Sequence, residues 1–221
     1  MNSKIIWTDH VPIKEGVRGN TINDLSISPD GTLLVAAVGN RVLLYNFLSG
    51  NLIESLKAHT LPVTSLSFCF DSSRFASGGS DNFVIIWKSN GQGIIKYTHA
   101  WPIQTISYSP NSNCLLSCSE NDYGIWSPDQ KNVSKEKLNS KILCSSWSFN
   151  GQLFGFGLEN GHIIIKKVNG GEVIRMEKNS PVWCLKFLPS NNFSKQESIQ
   201  SYKIDYEIIV GCWDKSLTIY K

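Results

Sequence analysis

Residues 74–87 read RFASGGSDNFVIIW. A run of small residues leads into Asp81, and an apolar run after it ends on Trp87. Two chemistries fit these letters. Asp81 is either a reactive carboxylate in a glycine-rich loop, or a pin that satisfies backbone amides in a tight turn between two strands. The first reading points to an enzyme and the second to a scaffold.

The rest of the chain favours the turn. Five segments align with one another: INDLSISPDG from Ile22, VTSLSFCFDS from Val63, IQTISYSPNS from Ile103, ILCSSWSFNG from Ile142 and VWCLKFLPSN from Val182. Each opens on Ile or Val, carries a large apolar residue at its sixth place (Ile27, Phe68, Tyr108, Trp147, Phe187) and runs into a turn. The period is about 40 residues, which is that of a propeller blade. A second apolar run follows each turn (TLLVAAV, RFASGGS, CLLSCS, QLFGFGL, IIVGCW), and then a third (RVLLYN, FVIIWK, YGIWS, HIIIKKV, SLTIYK). A more polar fourth run (LIESLKAH, GIIKYTHA, KNVSKEKL, VIRMEK) leads to the next period. The β-branched and aromatic content and the bounding turn residues mark strands, and no segment has the pattern of a long amphipathic helix. Four short antiparallel strands per period make an all-β propeller. The blades are expected near 20–57, 58–97, 98–138, 139–178 and 179–221. A strand over residues 4–8 is expected to belong to a closing blade, and the whole to be part of a seven-bladed ring; closure as five blades is the alternative. The polar stretch Phe193–Glu207 reads as an insertion in the fifth blade, and Lys135–Lys141 as a linker.

Repetition also bears on Asp81. Asp214, in WDKSLTIY, stands six residues before Tyr220 as Asp81 stands six before Trp87, and a catalytic group would not recur at one turn of a repeat. His59 (KAHTLPV) and His99 (YTHAWPI) each stand shortly before a first strand. No serine or cysteine lies in a recognisable nucleophile elbow, no phosphate-loop pattern follows the glycines, and Glu120–Asp122 lacks the distal Glu of a calcium loop. Few other titratable residues converge; Asp24 and Lys186 are the candidates on first strands. The six cysteines are scattered and lack zinc spacing, so they read as reduced, packed thiols. No catalytic residue, metal ligand or cofactor is expected. Net charge is only +3 and the basic residues are dispersed, which argues against a nucleic-acid footprint. No apolar run approaches the ~18 residues of a membrane span. Leu61, Trp101 and Trp183, at or just before first strands, are candidate partner anchors, because Trp is enriched at interface hot spots; packing between blades is their other reading.

WTDHVP (7–12), GNRVLLYN (39–46), RFASGGSDNFVIIWK, GIIKYTHA (93–100), YGIWSPDQKNVSK (123–135), SPVW (180–183) and IIVGCWDKSLTIY (208–220) together resemble the N-terminal propeller of the intraflagellar transport protein 122 homologues, WD-repeat subunits of intraflagellar transport complex A. SPDQKNVSK is the most specific of these pieces, because generic WD repeats do not keep a particular outer strand. The WD resemblance implies that His59 and Asp81 hydrogen-bond, with Trp87 packed over them. It casts His99, Trp126 and Asp214 as structural residues of their own repeats. It further implies a non-catalytic scaffold in retrograde ciliary transport and in the admission of membrane proteins to cilia. Its partners would be other WD-repeat and helical-repeat subunits of that complex, in the cilium, the ciliary basal body and the cytoplasm. An adaptor of another assembly, such as a vesicle coat or a ubiquitin-ligase receptor, shares the fold and is the alternative.

Overall fold

The computed structural model describes residues 5–10, 21–128, 133–188 and 206–221. Nineteen strands and no helix occur among them. They form five antiparallel sheets in chain order. The first holds β1 (Ile22–Ile27), β2 (Leu33–Val38), β3 (Arg41–Asn46) and β4 (Leu52–Leu56). The second holds β5 (Val63–Phe68), β6 (Arg74–Gly79), β7 (Phe83–Lys88) and β8 (Gly93–Thr98). The third holds β9 (Ile103–Tyr108), β10 (Leu115–Ser119), β11 (Asp122–Trp126) and β12 (Ser134–Lys137). The fourth holds β13 (Ile142–Trp147), β14 (Leu153–Leu158), β15 (His162–Lys167) and β16 (Glu172–Glu177). The fifth has three strands, β17 (Val182–Leu188), β18 (Glu207–Cys212) and β19 (Leu217–Tyr220). First strands pack side by side, β1 on β5, β5 on β9, β9 on β13 and β13 on β17, so the sheets are wedges of a propeller.

Because each inner blade has a neighbour on both faces, its middle strands are covered twice. That is why LFGFGL of β14 is buried at every residue and the sequence shows apolar runs where a one-sided sheet would alternate. The core therefore lies in the seams. Val35 and Leu44 of the first blade meet Val63, Phe75 and Trp87 of the second. Val84 and Ile86 of the second meet Ile103, Leu115 and Trp126 of the third. Tyr123 of the third meets Phe154 and Phe156 of the fourth, with ring centroids 5.7 and 4.7 Å apart. The glycines of the second strands answer to these seams. A Cβ on Gly78 would stand 2.5 Å from Ile103 Cγ2, and one on Gly157 would stand 2.4 Å from Val182 Cγ1.

Polar pegs cross the same seams. Asp24 Oδ2 accepts Leu66 N–H at 2.7 Å, Ser65 Oγ accepts Ile106 N–H at 3.2 Å and Ser67 Oγ accepts Tyr108 N–H at 2.9 Å. Thr64 Oγ1 donates to Ile103 O at 2.8 Å. These side chains satisfy first-strand backbone groups that have no further strand to pair with.

Several sequence expectations change. Residues 5–10 form no strand. Trp7 instead lies against blade 1, its indole N–H donating to Phe47 O at 2.9 Å; Lys4 lies outside the described residues. The first residues of the segment read as a linker, Lys135–Lys137, are the last three residues of β12 and pair with β11. Of the Phe193–Glu207 insertion, residues 193–205 lie outside the described residues, and Glu207 opens β18. All six cysteines are free, but Cys184 is exposed on β17, whereas Cys69 and Cys118 are buried.

Candidate functional site

Asp81 sits in the turn between β6 and β7, followed by Asn82 in the left-handed region at φ 69°. Its Oδ1 lies 2.9 Å from His59 Nδ1 and accepts Phe83 N–H at 3.3 Å, while Oδ2 accepts Thr60 N–H at 2.8 Å. The other ring nitrogen, His59 Nε2, is 2.8 Å from Ser77 Oγ, and Ser77 Oγ accepts the Trp87 indole N–H at 2.9 Å. The donors and acceptors then order themselves. Trp87 donates to Ser77, Ser77 donates to Nε2, and Nδ1–H donates to the carboxylate, with the imidazole neutral. The titration directions agree. Burial pushes the His59 pKa below its usual value despite the carboxylate beside it. For Asp81, burial raises the pKa but is outweighed by the His59 and backbone hydrogen bonds, which hold it low.

Serine, histidine and aspartate in line invite comparison with a hydrolase triad. The geometry answers against a reachable nucleophile. Ser77 is 0 % exposed and its oxygen is capped by Trp87, so no acyl carbon can approach. The chain of bonds instead spans blade 2, from the loop before its first strand to its third strand.

Blade 3 repeats the arrangement with two alterations. His99 Nδ1 lies 2.6 Å from Asp122 Oδ1 and Nε2 lies 2.9 Å from Ser117 Oγ. Burial lowers the His99 pKa, as for His59. The turn is one residue shorter, and the carboxylate comes from the first residue of β11 rather than from the turn itself. Ser117 Oγ accepts the Tyr97 hydroxyl at 3.1 Å, and the Trp126 indole N–H, buried, has no partner among the described residues. Asp122, Ser77 and Ser117 escaped the sequence reading. The signal was present: each serine stands 18 residues after its histidine, and the acids stand 22 and 23 residues after theirs.

Asp214 occupies a turn of the same shape as that of Asp81, followed by Lys215 at φ 68° and accepting Ser216 N–H at 2.9 Å. It is exposed and has no imidazole. The position four residues before β17, which holds His59 and His99 before β5 and β9, is Lys178, whose ammonium donates to Thr218 Oγ1 at 2.7 Å. Asp81 and Asp214 thus share a turn but not its partners.

The candidate anchors lie on the rim formed by the loops before first strands and the turns between second and third strands. Leu61 and Trp101 are each 50 % exposed and Trp183 is 57 % exposed. Trp183 meets Trp213, 68 % exposed, edge to face at 5.4 Å, a pairing the sequence reading did not foresee. A cleft of about 260 Å³ lies beside Trp101, lined by Asp122, Lys137 and Leu138. Among the described residues no group of three or more His, Cys, Asp or Glu is placed to hold a metal ion, and no helix is long and apolar enough to cross a membrane.

The comparisons with known proteins agree with this architecture. A family model described as the IFT122 first beta-propeller matches residues 21–221. The chain is 46% identical over 194 residues to the mouse (Mus musculus) intraflagellar transport protein 122 homolog, covering 86% of this chain and 16% of that protein. It is 44% identical over 190 residues to the Xenopus tropicalis protein of the same name, covering 84% of this chain and 16% of the relative. The human (Homo sapiens) protein is 42% identical over 197 residues, covering 87% and 15%. The chain therefore spans a small part of the length of the relatives it matches. Five strand wedges, their repeated joints and these matches together make the chain a member of the intraflagellar transport protein 122 family, within that family's first β-propeller.

Proposed function

We propose that this chain is a non-catalytic protein–protein scaffold of intraflagellar transport complex A, acting in retrograde ciliary transport and in the admission of membrane proteins to cilia. The observation that supports this most is the family match across most of the chain, joined to acids and imidazoles that are consumed in joints within blades 2 and 3. Rigid blades hold short loops at fixed geometry, so partners meet a preset surface with little ordering to lose. The partners in this reading are the other WD-repeat and helical-repeat subunits of the complex, met in the cilium, at its basal body and in the cytoplasm.

Exposed rim side chains are the anchors of this reading. Leu61, Trp101 and Trp183 present large apolar area on rigid positions, and the two tryptophans are the kind of residue that carries binding energy. The test is affinity purification of the tagged protein from ciliated cells, followed by mass spectrometry. Recovery of the other complex A subunits, with shortened or bulged cilia on loss of the protein, supports the reading. Recovery of coat or ubiquitin-ligase subunits in their place overturns it. Trp101→Ala and Trp183→Ala are expected to weaken that recovery without lowering the melting temperature.

A further inference from the structure

Blade 1 lacks the internal joint of blades 2 and 3. In register, Ala36 stands where blade 2 has Ser77, and Tyr45 stands where it has Trp87. Tyr45 is only 4 % exposed, and a buried phenol needs a hydrogen-bond partner that Ala36 cannot supply. The partner comes from the N-terminal segment: the Tyr45 hydroxyl donates to Asp9 Oδ2 at 2.9 Å. Two residues earlier, Trp7 stacks on the Tyr45 ring at 5.8 Å and 26°, and its indole N–H donates to Phe47 O at 2.9 Å. Gly50, at φ 72°, lets the indole close in: a Cβ there would stand 2.6 Å from Trp7 Cδ2. Thr8, between the two anchors, is exposed, as are Ile5 and Ile6 before them.

We propose that blade 1 carries a recognition site for a Trp-x-Asp peptide, built from the Tyr45 ring and hydroxyl, the Phe47 carbonyl and the open face of Gly50, and that residues 7–9 fill it in cis. The site reads an indole by stacking and by its N–H, and a carboxylate through a phenol that donates. The N-terminal segment is thus a displaceable strap, and its release opens the same seat to a like motif on another chain.

The test uses the full chain. Trp7→Ala empties the seat, and a labelled peptide Ile-Ile-Trp-Thr-Asp-His is titrated in by fluorescence anisotropy. The variant is expected to bind it saturably and about tenfold or more tighter than the unaltered chain, whose own segment competes at high effective concentration. Replacing Trp in the peptide by Ala should abolish binding. Adding Tyr45→Phe to the variant should erase the preference for the Asp peptide over its Asn counterpart. Equal binding by variant and unaltered chain, or by the Trp and Ala peptides, overturns the proposal. If Trp7→Ala fails to fold, Trp7→Phe and Asp9→Asn are read by limited proteolysis ahead of residue 21. Faster cleavage in both supports the strap, and unchanged cleavage overturns it.

Discussion

At the scale of single residues, a carboxylate's worth depends on what its turn brings to it. The Asp81 and His59 side chains are both almost wholly buried, and removing one partner of a buried pair leaves the other unsatisfied. Asp81→Ala is expected to cost about 3 kcal/mol, or roughly 6–12 °C of melting temperature for a chain of this size. Asp214→Ala, in a turn of the same shape but exposed to water, should leave the melting temperature nearly unchanged; equal losses from the two would refute the distinction. The indoles make a second pair. Trp87→Phe removes a bond to Ser77 worth about 1 kcal/mol, beyond the loss of ring area. Trp126→Phe removes an N–H that has no partner among the described residues, so it should destabilise less. Thermal melts of the two variants side by side decide it.

The same residues set the response to acid. His59 and His99 have folded pKa values below the ordinary 6.5, so the unfolded chain takes up protons first. Stability is therefore lost as pH falls below about 6.5, and none of this loss appears above it. Asp81 and Asp122 also have lowered values, and their contribution is lost only as pH falls below about 3.8. Denaturant melts between pH 8 and pH 5 should show stability declining from pH 6.5 downward, with the folded-state imidazoles taking up protons at lower pH than ordinary histidines by NMR. Stability rising over that range would contradict the neutral assignment.

At the scale of elements, the glycines of second strands are contact surfaces. Gly157 is small because Val182, the first residue of the next blade's first strand, presses on it, with its carbonyl 2.9 Å from where a Cβ would sit. A backbone atom cannot rotate away, so Gly157→Ala should force the fourth and fifth blades apart at about 1–3 kcal/mol. Hydrogen exchange should then rise first in β13 and β17. Exchange rising in β5 and β6 instead would mean that the strain travels elsewhere.

At the scale of the molecule, stability is distributed among seams. Each seam has an apolar cluster, and at the first two seams side chains also accept the neighbouring blade's first-strand amides. Asp24→Ala removes the acceptor for Leu66 N–H and should loosen the first seam by about 1–2 kcal/mol while leaving blades 3 to 5 as protected from exchange as before. A uniform rise in exchange across all blades would instead mean that the wedges unfold as one unit.

Strand order, blade period and the turn at Asp81 were legible in the letters, because a repeat prints the same local chemistry five times and each copy checks the others. His59 and His99 were legible for the same reason. What pairs with what was not. Asp122 hid in a turn one residue shorter, where the carboxylate reaches the imidazole from the strand. Lys178 took a histidine's place and left Asp214 to its turn alone. Trp7 read as part of a strand and became the clasp on Tyr45. Backbone pattern follows from near-neighbour sterics and hydrogen bonding, which neighbouring letters carry. The partner of a buried donor is chosen by segments brought together across about twenty to forty residues of sequence, and that choice exists only once the blades are folded and packed.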